Sequence, residues 1–194
     1  MKESVKKQIV LSLLLTIEVL LAVVGVIVVA FSYTQLTGQD VIFNKESIPI
    51  DAHSYVSYEI IVNLTGKIAP KVTGGVGSVG SDVDFYLVND TSWNTWSTNP
   101  EMRSTFSMVH LNATAISSQL VAENQFSFTP STTAGYSVVF VNNVYPSASN
   151  TSVHATINLQ YTSLNELYDL VVGLVMLAAS LVLLSVTALR RIKQ

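Results

Sequence analysis

Two long apolar runs, one near each end, limit what this chain can become more than anything between them. Ile9 to Phe31 holds 23 residues, of which only Ser12, Thr16 and Glu18 are polar. As an α-helix at about 1.5 Å per residue it reaches roughly 34 Å, enough to cross a hydrocarbon core of roughly 30 Å with some tilt. Leu167 to Leu189 is a second such run. Lys2, Lys6 and Lys7 precede the first, and Arg190, Arg191 and Lys193 follow the second. Because basic flanks favour the cytoplasmic side, the pattern predicts a cytoplasmic N-terminus over 1–8, a span over 9–31, an extracytoplasmic segment over 32–163, a span over 164–189 and a basic cytoplasmic tail over 190–194. The expected location is the cell membrane, with lipid as the first partner.

A cleaved secretory signal is the alternative for the first run. Signals have an apolar core of about 7 to 15 residues and small residues at the cleavage site. This run is longer and Val28-Val29-Ala30 is a poor match, so a retained anchor is expected. Ser163-Leu164-Asn165-Glu166 reads as a capping box opening the second helix. Tyr33 and Tyr168 suit an outer membrane interface.

The segment between the runs can form one domain of ordinary size. Its only basic residues are Lys45, Lys67, Lys71 and Arg103, too few for a nucleic-acid footprint. The absence of cysteine removes disulfides, thiol nucleophiles and cysteine-ligated metals. Four N-x-[S/T] triplets begin at Asn63, Asn89, Asn112 and Asn150 and are candidate glycosylation sites, although a segment so rich in Ser and Thr also produces them by chance. An archaeal cell-surface protein is one source for such a composition.

Alternation predicts strands over Asp40–Ile50, Ser54–Leu64, Val83–Val88, Phe126–Thr129, Tyr136–Asn142 and Val153–Tyr161, with weaker candidates at Arg103–Leu111 and Ser118–Ala122. Lys67–Thr73 reads as a short strand that Pro70 assigns to an edge or bulge. Gly74–Ser81 reads as a glycine-rich loop and Asn89–Pro100 as a loop carrying Trp93 and Trp96. Seven to nine short strands without a helical period predict a mainly β fold, an antiparallel β-sandwich between two transmembrane helices.

Part of this segment resembles a known family. Ile48 to Tyr58, Asp82 to Asn89 with Trp93 and Trp96, Phe126-Ser127-Phe128, and Gly135-Tyr136-Ser137-Val138-Val139-Phe140-Val141-Asn142-Asn143 are similar to β-sandwich modules of surface proteins. The last two segments resemble the end of the GOLD domain of the p24 (emp24/gp25L) membrane cargo receptors. The resemblance spans about 48–161 and implies a GOLD-like sandwich that binds other proteins. The chain departs from that family in lacking cysteine and a heptad stretch before Ser163.

Candidate chemistry is sparse. Gly75-Val76-Gly77-Ser78-Val79-Gly80 matches G-x-G-x-x-G, but a strand rather than a helix follows, so an inter-strand loop is the better reading. His53, His110 and His154 show no metal-ligand spacing; Met102 and Met108 near His110 suit packing as well as copper. Asp82 and Asp84 flank Val83 on one side of a strand, where a solvated edge or a calcium contact outweighs acid–base work. No cofactor, metal site or catalytic residue is expected. Trp93 and Trp96 are candidates to touch a partner or the membrane surface, or to close one end of the core. Glu18, near the middle of the first run, costs about 2.5 to 3.5 kcal/mol in a span and needs a partner. Counting inward from the cytoplasmic ends brings it level with Ser180, which predicts a Glu18–Ser180 hydrogen bond.

The expected function is non-catalytic: a membrane-anchored sandwich that binds, escorts or braces another membrane or cell-envelope protein. The alternative is an accessory subunit of a larger membrane enzyme or transporter, contacting it through the two helices and Glu18. A homo-oligomer is compatible with either.

Overall fold

The computed structural model describes residues 3–113, 124–142 and 149–192. The chain divides into two compact units, 1–38 with 162–194, and 39–161.

The first unit is a pair of helices, α1 (Glu3–Gln35) and α3 (Leu164–Ile192), both longer than the apolar runs that announced them. Each is long and apolar enough to cross a membrane. The Ser163 hydroxyl accepts a bond from the Glu166 amide at 3.4 Å, capping α3 as its sequence predicts. Close approach of the two helices depends on glycine. A Cβ on Gly25 would meet the Leu177 side chain at 2.9 Å, and one on Gly173 would meet Val29 at 2.9 Å. Small residues at these points let the backbones pack closely. Most other large apolar side chains of the pair, such as Leu13, Leu20, Ile27, Val175 and Val182, are exposed.

Among the described residues the second unit is built from eight strands: β1 (Thr37–Ile50), β2 (Ser54–Val62), β3 (Lys67–Val79), β4 (Val83–Asn89), β5 (Val109–Ala113), β6 (Asn124–Phe128), β7 (Ala134–Asn142) and β8 (Thr151–Ser163). They form two four-stranded sheets, ordered β1-β8-β3-β6 and β2-β7-β4-β5. β7 pairs antiparallel with both β2 and β4, and β4 with β5. Alternation along each strand sends one set of side chains between the sheets. Val72, Val76, Phe85, Leu87, Val138, Phe140, Ile157 and Leu159 are fully or almost fully buried there. Phe85 stacks on Phe126 at 5.2 Å and meets Phe140 at 5.5 Å.

Three expectations change. Gly74–Val79 is not a loop but the second half of β3, which makes β3 an inner strand of its sheet rather than a short edge. Glycine recurs there because a neighbour occupies the space a side chain would need. A Cβ on Gly74 would strike the Phe126 ring, and one on Gly77 the His154 ring. Pro70 is tolerated because the pairing with β6 begins only at Val72, and the backbone bends there, with Ala69 at φ 48°. Second, Asn89–Pro100 is not a loop: Asp90–Thr98 forms helix α2, followed by a 3₁₀ turn at Pro100–Met102. Third, of the Arg103–Leu111 candidate only Val109–Leu111 is strand, and the strand runs on to Ala113. The Ser118–Ala122 candidate lies outside the described residues.

Candidate functional site

Four places in the fold bear on function, and only some of them contain residues singled out by the sequence. The first is the outer face of the β2-β7-β4-β5 sheet. Asn89 ends β4 and caps α2, its amide oxygen accepting from the Thr91 amide and hydroxyl at 2.9 Å. The helix then turns Trp96 onto the sheet, where it is fully buried against Tyr86, Val88, Val139 and Val141. The Trp96 indole N–H donates to Ser107 Oγ at 3.1 Å, and the Arg103 guanidinium lies 4.5 Å over its ring. Trp93 is half-buried and stacks on Trp96 at 5.3 Å. Trp96 is therefore not a contact for a partner or a membrane surface. The pair closes a second, smaller core outside the sheet rather than an end of the sandwich.

Beside this core Tyr86 stacks flat on His110 at 4.5 Å, and His110 Nε2 lies 3.4 Å from Asp84 Oδ1. Burial pushes the Tyr86 phenol up to about 12, with the Asp84 charge adding to the rise and Arg103 opposing it. A phenol held so high is a poor proton donor near neutral pH. The nearby Ser107 hydroxyl donates to Arg103 O at 2.6 Å and accepts from Trp96, so it is occupied by packing contacts. His53 lies at the β1–β2 turn, His110 on β5 and His154 on β8 in the other sheet. Among the described residues no three His, Asp or Glu side chains come together as metal ligands.

The second place is the helix pair. Glu18 is only 2% exposed, and Thr187 Oγ1 donates to its Oε1 at 2.6 Å; Oε2 is also buried. The Ser180 hydroxyl instead donates to Leu177 O of its own helix at 2.8 Å. The Glu18–Ser180 pairing is thus replaced by Glu18–Thr187. Side chains lean toward the N-terminus of their own helix. In an antiparallel pair, residues at equal depth therefore lean apart, and those that meet are offset. Oε2 has no hydrogen-bond partner among the described residues.

The third place is the junction of β1, β3 and β8. Lys67 Nζ lies 2.8 Å from Asp40 Oδ2, and the Tyr161 hydroxyl donates to Asp40 Oδ1 at 3.0 Å. Lys67 also sits 4.8 Å over the Tyr161 ring. The bond from Lys67 holds the Asp40 carboxyl below its ordinary value, and the bond to Asp40 holds the Tyr161 phenol above its own. Next to this latch a cleft of about 470 Å³ lies between β1 and β2, the facing edge strands of the two sheets. Val41 and Ile61 line it and stand 63% and 72% exposed. No sequence signal marked them, because exposure on an edge depends on which strands end up unpaired.

The glycosylation triplets are scattered. Asn63 is exposed just after β2, its amide oxygen accepting from Thr65 N at 2.9 Å. Asn89 is the cap described above. Asn112 lies on β5 in register with Asp84. Asn150 is exposed, its amide oxygen accepting from Ala52 N at 3.2 Å. The fourth place, an open cleft of about 610 Å³ on the outer face of β3, β6 and β8, was not anticipated by any motif.

No protein-family model and no curated protein matches this chain. Solved structures overlap it in part. The Aeromonas hydrophila PliG, a periplasmic inhibitor of g-type lysozyme, is 10% identical, covers 64% of this chain and 85% of its own, and superposes with a TM-score of 0.37. The Yersinia pseudotuberculosis-derived mitogen is 12% identical over 62% of this chain and 84% of its own, with a TM-score of 0.34. A CBM36 carbohydrate-binding module in complex with calcium and xylotriose is 8% identical over 63% and 98%, with a TM-score of 0.28. Overlap at this level assigns neither a family nor a ligand.

Proposed function

We propose that the chain is a non-catalytic, membrane-anchored β-sandwich that binds another membrane or cell-envelope protein through the neighbouring free edges of β1 and β2. The observation that carries this is the exposure of Val41 and Ile61 on two strands that border one cleft and that, among the described residues, are unpaired on one side. β1 and β2 carry some of the charge and proline that ordinarily blunt such edges, at Asp40, Lys45, Glu46, Pro49 and Glu59, and Asp40, Glu59 and Lys67 line the cleft itself. Between these charges Val41 and Ile61 leave an apolar stretch, where an extended segment of a partner can add as a strand.

Anchoring is supported by the helix pair, with its apolar exterior and with Glu18 and Thr187 turned inward, an arrangement that suits lipid rather than water. The basic flanks support a topology with both termini in the cytoplasm and 32–163 outside. The GOLD-like resemblance enters through Gly135–Asn142, which forms most of β7, the strand flanked by both β2 and β4.

A photo-reactive residue placed at Ile61 in native membranes tests the reading, with one at Asn94 on α2 as control. Cross-links to one protein from position 61 but not 94, abolished by Val41→Lys, are expected. Equal labelling from both positions, or none, would overturn it. Cross-links between two copies of the chain would make the edge a homo-oligomer interface.

A further inference from the structure

We infer that the outer face of the β1-β8-β3-β6 sheet binds a neutral oligosaccharide. The cleft there holds about 610 Å³, within the range of about 300–1,000 Å³ typical of ligand sites. Its position follows from alternation. On β8, Val153, Ala155, Ile157 and Leu159 point into the core, so Thr156, Asn158 and Gln160 point out. Register pairs Thr73 with Ser127 and Gly75 with Gln125, and these face the same way. The wall is therefore three amides and three hydroxyls, set about 4.8 Å apart across strands and about 6.7 Å apart along them.

Two glycines shape the floor. Gly75 contributes no side chain. Gly77 gives up its place to the His154 ring, which closes one end of the cleft. The Thr156 hydroxyl donates to Asn44 Oδ1 at 3.2 Å, so it is held in place with its lone pairs available to accept.

The chemistry of this lining selects the ligand class. Among the described residues that line the cleft, Lys71 is the one Lys, Arg, Asp or Glu, too little for a polyanion. Phe126 is its single large apolar residue and faces the core, which leaves an apolar ligand without a surface. Amides and hydroxyls both donate and accept, and sugar hydroxyls do the same at every carbon. The edge groove proposed above is bordered by β1 and β2 and shares no residue with this cleft, so the two readings stand or fall separately.

The full-length chain in a zwitterionic detergent without a sugar headgroup, titrated with maltoheptaose, cellohexaose and xylohexaose by calorimetry, tests the inference. Saturable binding of at least one of them is expected. Gly75→Leu, which fills the floor, and Asn158→Ala with Gln125→Ala should each weaken it by about tenfold or more, while Ile61→Lys leaves it unchanged. Unfolding midpoints of the variants separate lost binding from lost folding. No heat with any of the three at about 1 mM would overturn the inference. So would binding that Gly75→Leu leaves intact in a folded protein. Tighter binding of polygalacturonate that disappears in Lys71→Ala would make the cleft an anion site instead, and preferential binding of an extended peptide would make it a protein site.

Discussion

Trp96 shows how much one side chain organises in this domain. It fills the space under α2, meets Tyr86 edge-on at 5.3 Å and carries Arg103 on its face. Replacing it with alanine should cost about 3–5 kcal/mol, read as a drop in the denaturant midpoint without a change in slope. Asp40 makes a different kind of contribution. Folding lowers its pKa, chiefly through the bond from Lys67, so its stabilising effect is complete above the unfolded value of about 3.9 and fades as pH falls through the lower folded value. Folding raises the Tyr161 pKa, so that contribution is complete below about 10 and fades as pH climbs through the higher folded value. Thermal unfolding across pH should show both limbs, and Asp40→Asn should flatten both. Within the helix pair, Thr187→Val removes the hydroxyl that faces Glu18. By the measured range for interhelical bonds this costs about 0.6–1.7 kcal/mol, readable by titrating the micelle-embedded protein with sodium dodecyl sulfate.

At the scale of elements, β3 and α2 explain why some of the fold was legible in sequence and some was not. Strands with clear alternation, such as Ser54–Val62 and Thr151–Ser163, declare themselves because their inward positions are mostly Ile, Val and Leu and their outward ones, Ile61 apart, mostly polar or aromatic. Glycines in β3 hid a strand, since glycine ordinarily weakens one; only the rings of Phe126 and His154, distant in sequence, show why it is required. A double-mutant cycle isolates this. Gly77→Ala should destabilise by about 1–3 kcal/mol, and much of that cost should vanish when His154 is also alanine. Poor helix formers hid α2. Its readable signal was Asn89 as a cap with Asp90 in the first turn and Trp93 and Trp96 three apart. The polar cleft and the open edges had no readable signal, because both depend on which strands become neighbours.

At the scale of the whole chain, the absence of cysteine makes topology directly measurable. Single cysteines at Lys6, Ser57 and Arg190, treated in intact cells with a membrane-impermeant maleimide, should label only at position 57 if both helices cross the membrane with basic ends inside. Labelling at 6 or 190 would reverse or remove one crossing.

The strand that opens the sandwich and the strand that closes it are neighbours in one sheet, fastened to each other by the Asp40–Tyr161 bond. Its way in and its way out thus lie about one strand spacing apart, near 4.8 Å. A module with that doorway behaves as a cassette: residues 39–161 should graft into a surface turn of an unrelated host without prising the host apart.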